Sequence, residues 1–284
     1  MIFPLTNFNP FRIGLHPIDK QDWLFLNVSD SAYIKNKYQL AQERLNEVFF
    51  VAENNKQDIF ELASKLQSEL LIQEPKLSDR LKLAMQKMNF NLIGQDNPLL
   101  ALSFMIEDDL IILQQENGFF RMVAGAIFSP SGWLLKDKQL LDIDAIHSRV
   151  PHYDSLLADR LKTMLLKLPT EKPFERHNWS LYKSSNLYQP PLIKNAHHIN
   201  ISSDADIQSL HVRVERQTLY KPKDSALIVF SIKVINYPIS ELTTNKTLLN
   251  NFYLALEELS ADMIEYKGLT SCIGFFKKYL KSFL

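Results

Sequence analysis

Apolar residues recur at steps of three and four along the first third of the chain, which is the pattern of amphipathic helices. The first run follows the capping candidates Asp30 and Ser31, a second opens at Asp58, and a third comes after it. Their apolar positions are Ile34, Tyr38, Ala41, Leu45, Val48 and Ala52; then Ile59, Leu62, Leu66 and Leu70; then Leu77, Leu81, Ala84 and Met88. The sequence predicts an N-terminal helical segment over residues 1–93, ended by turn-forming residues at 94–98.

Short apolar runs separated by polar turns replace the helical pattern after Pro98. The runs cover residues 99–106, 110–114 and 119–128, and Asn117-Gly118 lies between the last two. Asn-Gly between apolar runs favours a hairpin because both residues tolerate positive φ. This region is therefore predicted to be an antiparallel meander.

The second half of the chain continues with a mixture of helices and strands. The pattern predicts a helix over 154–168, a proline- and aromatic-rich loop over 169–200, strands over 209–220 and 225–236, a helix over 247–263 and an amphipathic tail after Cys272. Helices, then strands, then helices indicate the α+β class rather than a βαβ array. We expect one domain over residues 1–284, with an antiparallel core over 94–240 and C-terminal helices over 241–284.

The charge and hydropathy of the chain bear on its partners. Lys plus Arg and Asp plus Glu each total 32, so the formal net charge is zero, whereas nucleic-acid binding needs concentrated basic residues. The longest uncharged apolar runs reach seven or eight residues, and a membrane-spanning helix needs about 18–20. Residues 1–11 have no basic leader. We expect a cytoplasmic protein that binds neither nucleic acid nor membrane.

Common catalytic and cofactor motifs are absent from the sequence. None of the seven glycines forms a dinucleotide fingerprint or a Walker A loop, and there is no H-E-x-x-H, G-x-S-x-G or C-x-x-C. One cysteine, Cys272, cannot provide a four-cysteine zinc or iron–sulfur site. We expect no flavin, nicotinamide or iron–sulfur site in this chain.

Two specific motifs and several weaker ones form an ordered series along the chain. The specific ones are R-V-E-R-Q-T-L at residues 213–219 and Ile146-His147 followed by Val150-Pro151. The weaker ones lie at residues 11–15, 22–23, 107–110, 128–133 and 178–180, and the series extends to Lys267-Gly268. In these motifs the chain resembles the haem-dependent oxidative N-demethylase family. It departs from the family at residues 149–152, where Arg-Val-Pro-His replaces Pro-Val-Pro-Gly.

The resemblance implies a fold and a reaction. The fold would be a PAS-like antiparallel core that holds haem b. The chain would be the haem subunit of a monooxygenase that removes a methyl group from a secondary amine such as dimethylamine. Electrons would come from a separate reductase with flavin and iron–sulfur centres. The basic amphipathic tail is either a docking surface for that reductase or a terminal helix packed on the core.

His147 is the candidate axial ligand of the haem iron. Such a ligand needs a neutral imidazole in an apolar crevice, with its second nitrogen hydrogen-bonded. Ile143, Ile146 and Val150 can form that wall, and Pro151 stiffens the segment. The alternative is a structural histidine without a metal. His197-His198 is either a surface pair or an adventitious metal site, and a thiolate ligand from Cys272 is a remote alternative.

The heptad at 213–219 supplies the charged candidates. Alternation along a strand puts Arg213 and Glu215 on one face and Arg216 with the apolar residues, where it needs a carboxylate partner. Arg213 and Arg216 are candidates to bind the haem propionates, because a guanidinium binds carboxylates in a two-pronged way. Glu215 and Arg216 are the catalytic candidates, for the ammonium substrate and for charge near the reacting oxygen. The alternative is an Arg–Glu ladder on a solvated sheet.

Two further motifs have both a functional and a structural interpretation. Trp179 is a candidate aromatic wall of the haem pocket, or else a buried anchor of a loop. Glu107-Asp108-Asp109 has the composition of a metal cluster, but an acidic turn between two apolar runs is the preferred interpretation. For the whole chain, the alternatives to an enzyme are a PAS-type haem or small-molecule sensor and a descendant that has lost haem.

Overall fold

The computed structural model describes residues 14–26, 31–79, 82, 86, 97–191, 199, 201 and 203–284. Within them, an antiparallel sheet has the strand order β1-β5-β6-β7-β3-β4-β2. The strands are β1 (His16–Pro17), β2 (Phe49–Val51), β3 (Asp109–Glu116), β4 (Phe119–Ala126), β5 (Phe174–Tyr182), β6 (His211–Tyr220) and β7 (Leu227–Pro238). With the helices around it, this sheet confirms the predicted α+β class.

Helices precede, interrupt and follow the sheet. The α-helices of the described ranges are α1 (Ala32–Val48), α2 (Lys56–Gln73), α3 (Pro98–Met105), α4 (Ile143–His147), α5 (Ala158–Leu166), α6 (Asp204–Gln208), α7 (Ile239–Thr244), α8 (Lys246–Glu257), α9 (Ala261–Tyr266) and α10 (Ile273–Lys281). None of them is both long enough and apolar enough to cross a membrane. In the tail, α10 buries Phe276 and Leu280 against the core.

The first two predicted N-terminal helices and the central hairpin are confirmed, except that the first helix ends at Val48 and Ala52 lies beyond it, after β2. The Ser31 hydroxyl caps α1 by accepting a hydrogen bond from the Ile34 amide, and α2 covers the second apolar run. Asn117 and Gly118 join β3 to β4 with φ values of 51° and 80°. Most of the third predicted helix, and the His197-His198 pair, lie outside the described residues.

Three local predictions are wrong, each for a physical reason. Most of the strand predicted over residues 99–106 is helix α3 (Pro98–Met105), because Asn97 caps the helix and Pro98 starts it. The predicted loop over 169–200 contains the nine-residue strand β5. The single helix predicted over 247–263 is two helices, because Ser260 caps the start of α9.

The two faces of the sheet have different covers. On the helical face, Val212 and Val214 of β6 pack in one hydrophobic cluster with residues of α7 to α10, while Leu110 of β3 packs with α1 to α3. On the other face, Leu219 and Ile228 pack with residues of α4 and α5. We call this second face the loop face. Its portion over β5 and β6 carries half-buried polar side chains.

Candidate functional site

His147 is the last residue of the short helix α4, which Asp142 caps by accepting a hydrogen bond from the Ala145 amide. The imidazole Nδ1 lies 2.7 Å from the main-chain oxygen of Ile143. A carbonyl oxygen can only accept, so Nδ1 carries the proton and Nε2 keeps its lone pair. The ring stacks on Tyr153 with 5.2 Å between centroids. The geometry thus fixes the tautomer in which Nε2 is a potential metal ligand.

The electrostatic surroundings favour the neutral form of His147. Burial lowers the pKa of its imidazole, the hydrogen bond to Ile143 opposes this effect, and the positive charges of Arg176 and Lys138 lower the pKa further. A neutral imidazole is the form that binds a metal. The partly buried apolar side chain of Ile146 packs in the cluster below α4.

The segment after His147 is held by polar contacts at both ends. The Tyr153 hydroxyl donates to the Asp144 carboxylate at 2.7 Å. His152 has a φ of 57°, a left-handed backbone that glycine adopts more readily. Its Nε2 lies 2.6 Å from the carboxylate of Asp262 in α9, so this segment is joined to the C-terminal helices.

Glu215 lies in a polar group on the loop face. Register pairs Asn178 with Glu215 and Arg176 with Gln217, so all four side chains share that face. The Gln217 amide donates to the Glu215 carboxylate at 2.9 Å, and the Asn178 amide lies 3.5 Å from the same oxygen. These donors orient a carboxylate toward the loop face.

Lys267 adds a second cation beside this group, and sequence reasoning missed it as a site residue. Its ammonium donates to the main-chain oxygen of Trp179 at 2.6 Å and lies 4.5 Å from the Trp179 ring centre. Burial lowers the pKa of Lys267 to about 8, with the charge of Glu215 acting against that shift and the charge of Arg176 adding to it. The only signal in the sequence is its place at the end of the motif series.

Arg213 points to the loop face, but its guanidinium already donates hydrogen bonds to protein oxygens. Nε donates to the Ser131 hydroxyl at 2.8 Å, and the two terminal nitrogens donate to main-chain oxygens. Those oxygens belong to Ser129, Pro130, Asn186 and Leu187. Arg213 is fully buried and joins two loops.

Arg216 points to the helical face, as alternation predicted, and it forms an ion pair with the carboxylate partner that its burial requires. Nε donates to Glu175 at 2.5 Å, and the terminal nitrogens donate to the main-chain oxygens of Trp23 and Asp22. Its side chain is 3% exposed. Because Arg216 and Glu215 lie on opposite faces, the structure does not bring the two catalytic candidates together.

Trp179 also lies on the helical face and is 1% exposed. It packs edge to face against Phe252 of α8, with ring centres 5.1 Å apart. It therefore forms part of the core under the C-terminal helices and does not share a face with Glu215. The main-chain oxygen of Trp179 accepts a hydrogen bond from Lys267, which connects it to the polar group.

The acidic run at 107–109 is buried, unlike an ordinary acidic turn. Asp108 and Asp109 are at most 1% exposed, and the buried Lys37 of α1 donates to the main-chain oxygen of Asp108 at 2.5 Å. Glu107 pairs with Lys233 of β7. Among the described residues, no group of three or more His, Cys, Asp or Glu side chains could hold a metal ion. The run stabilises the sheet against α1.

A cavity of about 600 Å³ lies between the chain at Gly14 and Leu15, helix α5 and the start of β5. Apolar residues including Met164, Leu168 and Phe174 line it, with Arg160 and Lys167 among the lining side chains. Phe174 shares the loop face with Arg176, two residues along β5. His147 and Glu215 are not among the lining residues.

Comparison with protein families gives a match over nearly the whole chain. The family model described as haem-dependent oxidative N-demethylase, alpha subunit-like, matches residues 14–273 of the 284. The matched range includes α4 with His147, strands β5 and β6, and Lys267.

Proposed function

Because the chain belongs to the haem-dependent oxidative N-demethylase, alpha subunit-like, family, we propose that it binds haem b through His147 and oxidatively demethylates a small secondary amine. Oxygen is the oxidant, and electrons come from a separate reductase. The name alpha subunit-like implies a partner component. The family places the chain among haem-dependent oxidative proteins; the amine, the haem type and the residue roles are the proposal.

The observation that supports this function best is the environment of His147. Its Nδ1 proton is held by the Ile143 carbonyl at 2.7 Å, which orients the ring and increases the basicity of Nε2. Stacking on Tyr153 restricts rotation of the ring. These features support His147 as the axial ligand of a haem.

The roles of the other residues follow from their positions. A bound haem supplies oxygen activation. Glu215 binds the ammonium form of the amine by a charge-assisted hydrogen bond, while Gln217 and Asn178 keep its carboxylate in place. We propose that Arg213 and Arg216 are positioning residues, because their nitrogens already donate to protein oxygens.

The strand order supports a PAS-like core. The five long strands lie in the order β4-β3-β7-β6-β5, so the first hairpin is placed beside the last strand. We propose that this arrangement is the PAS-like core that the family resemblance implies. Strands β1 and β2 extend the sheet by two or three residues at its edges.

The absorbance spectrum of the purified protein tests the proposed function. With haemin added, the wild type should show a Soret band of a histidine-ligated haem, and His147→Ala should lose it or retain a weak, nonspecific form. His16→Ala is the matched control, because this histidine is exposed and paired with Glu175 at the edge of the sheet. An unchanged band in His147→Ala would contradict the ligand assignment.

A further inference from the structure

Arg176 differs from the two arginines of the heptad in the contacts of its guanidinium. Among the residues that the structure describes, no hydrogen bond or ion pair is found for its guanidinium, although the side chain is half-buried. Arg213 and Arg216 each donate from all three nitrogens to protein oxygens. A guanidinium stays charged in proteins, so a half-buried one without a partner needs water or an anion.

The position of Arg176 indicates where such an anion would bind. The side chain lies on the loop face, opposite Gln217, next to the polar group around Glu215. Phe174, two residues before Arg176 on the same face, packs in one hydrophobic cluster with Ile146, the neighbour of His147 in α4. Arg176 therefore lies on the sheet face that α4, the helix of the proposed iron ligand, packs against.

The charges of this group do not balance. Arg176 and Lys267 are basic and Glu215 is acidic, and each of the two bases has its pKa lowered by burial, with Glu215 opposing the shift. With both bases protonated, the local charge is positive. One additional carboxylate would neutralise it, and the flat fork of a guanidinium suits a carboxylate better than a point charge does.

We propose that Arg176 is the residue that binds a carboxylate of the ligand held by His147, which for haem is a propionate. This inference rests on the proposed function. It replaces the expectation that Arg213 or Arg216 binds the propionate, because the guanidinium groups of those two side chains already donate to protein oxygens.

The test compares haemin with haemin dimethyl ester, in which both carboxylates are masked, by Soret titration of the protein without ligand. Wild type should bind haemin more tightly than the ester by roughly 10- to 150-fold, the effect of a charge-assisted hydrogen bond. Arg176→Met should bind the two compounds with equal affinity. Arg121→Met is the matched control, because Arg121 is an exposed arginine on β4 of the same sheet and should keep the preference.

Two results would overturn the proposal: no preference for haemin in the wild type, or a preference that persists in Arg176→Met. Unfolding by urea without ligand separates ligand binding from a structural role. Arg176 has no described protein partner, so its replacement should leave the midpoint unchanged or raise it, and a clearly lower midpoint would contradict the proposal. Failure of the proposed function is distinguishable, because the Soret band itself would then not depend on His147.

Discussion

Arg213 and Arg216 lie three residues apart on β6 and point to opposite faces of the sheet. Arg213 donates to the main-chain oxygens of two loops on the loop face, and Arg216 joins Glu175 and the segment before α1 on the helical face. The most specific motif of the sequence is thus a pair of buried clamps that hold loops on both sides of the central strand.

The first prediction concerns the stability of the Arg216 clamp. Arg216→Met should lower the free energy of unfolding by about 3 kcal/mol, because it removes the cation that pairs with Glu175 and leaves two main-chain carbonyls without their donor. Urea unfolding at neutral pH measures this change. Arg121→Met, on an exposed position of β4, should change stability by less than about 0.5 kcal/mol. Equal midpoints for the two variants would show that the clamp contributes nothing.

The second prediction concerns the buried pair of Lys37 and Asp109, whose charged atoms are 3.8 Å apart. Burial lowers the pKa of Lys37 to about 8 and raises the pKa of Asp109 to about 6. From pH 8 to 10 the unfolded state therefore retains the lysine proton that the folded state has lost. From pH 4 to 6 the folded state binds the aspartate proton that the unfolded state has lost.

Stability should therefore rise from pH 8 to 10 and fall from pH 4 to 6, by at most about 3 kcal/mol in each window. The measurement is urea unfolding across both windows, with the uncharged double variant Lys37→Met/Asp109→Asn as reference. Subtracting the reference removes the titration of all other groups. Parallel pH profiles for the two proteins would contradict the pKa shifts.

The sequence predicted strand β6 and its alternation well, because a single long strand between turn residues has a clear two-residue period. It therefore predicted that Arg216 would need a buried carboxylate. It could not identify Glu175 as the partner, because β5 has polar side chains on the loop face and mixed ones on the helical face. With no apolar alternation, β5 was indistinguishable from a polar loop.

The polar group of the candidate site was also hidden in the sequence, because it is assembled by pairing between two strands that are far apart in the chain. Pairing of Arg176 with Gln217 brings together positions 41 residues apart, and no local pattern specifies that register. The buried ion pair of Lys37, in contrast, leaves a local signal in the sequence. It lies on the apolar stripe of α1 between Ile34 and Ala41, and a lysine on a buried stripe predicts a buried acidic partner.

The third prediction separates amine binding from haem binding. Glu215→Gln keeps the size of the side chain and an acceptor for Gln217, but removes the negative charge. Haemin affinity should be unchanged, and the affinity for dimethylamine should fall by roughly 10-fold or more, because a charge-assisted hydrogen bond is lost. The measurement is the spectral shift of the haem-loaded protein during amine titration. Equal amine affinities in the two proteins would show that Glu215 has a structural role.

The last prediction is that this chain does not turn over by itself. Oxidative demethylation with oxygen consumes two external electrons, and the sequence has no dinucleotide fingerprint to collect them from a nicotinamide. Its single cysteine, Cys272, cannot hold an iron–sulfur cluster, and it is buried in the core. Purified haem-loaded protein given NADPH, oxygen and dimethylamine should release no formaldehyde beyond the background of His147→Ala. Adding a surrogate flavin and iron–sulfur reductase pair should start the release. Sustained formaldehyde formation before that addition would show that the chain collects electrons without a partner.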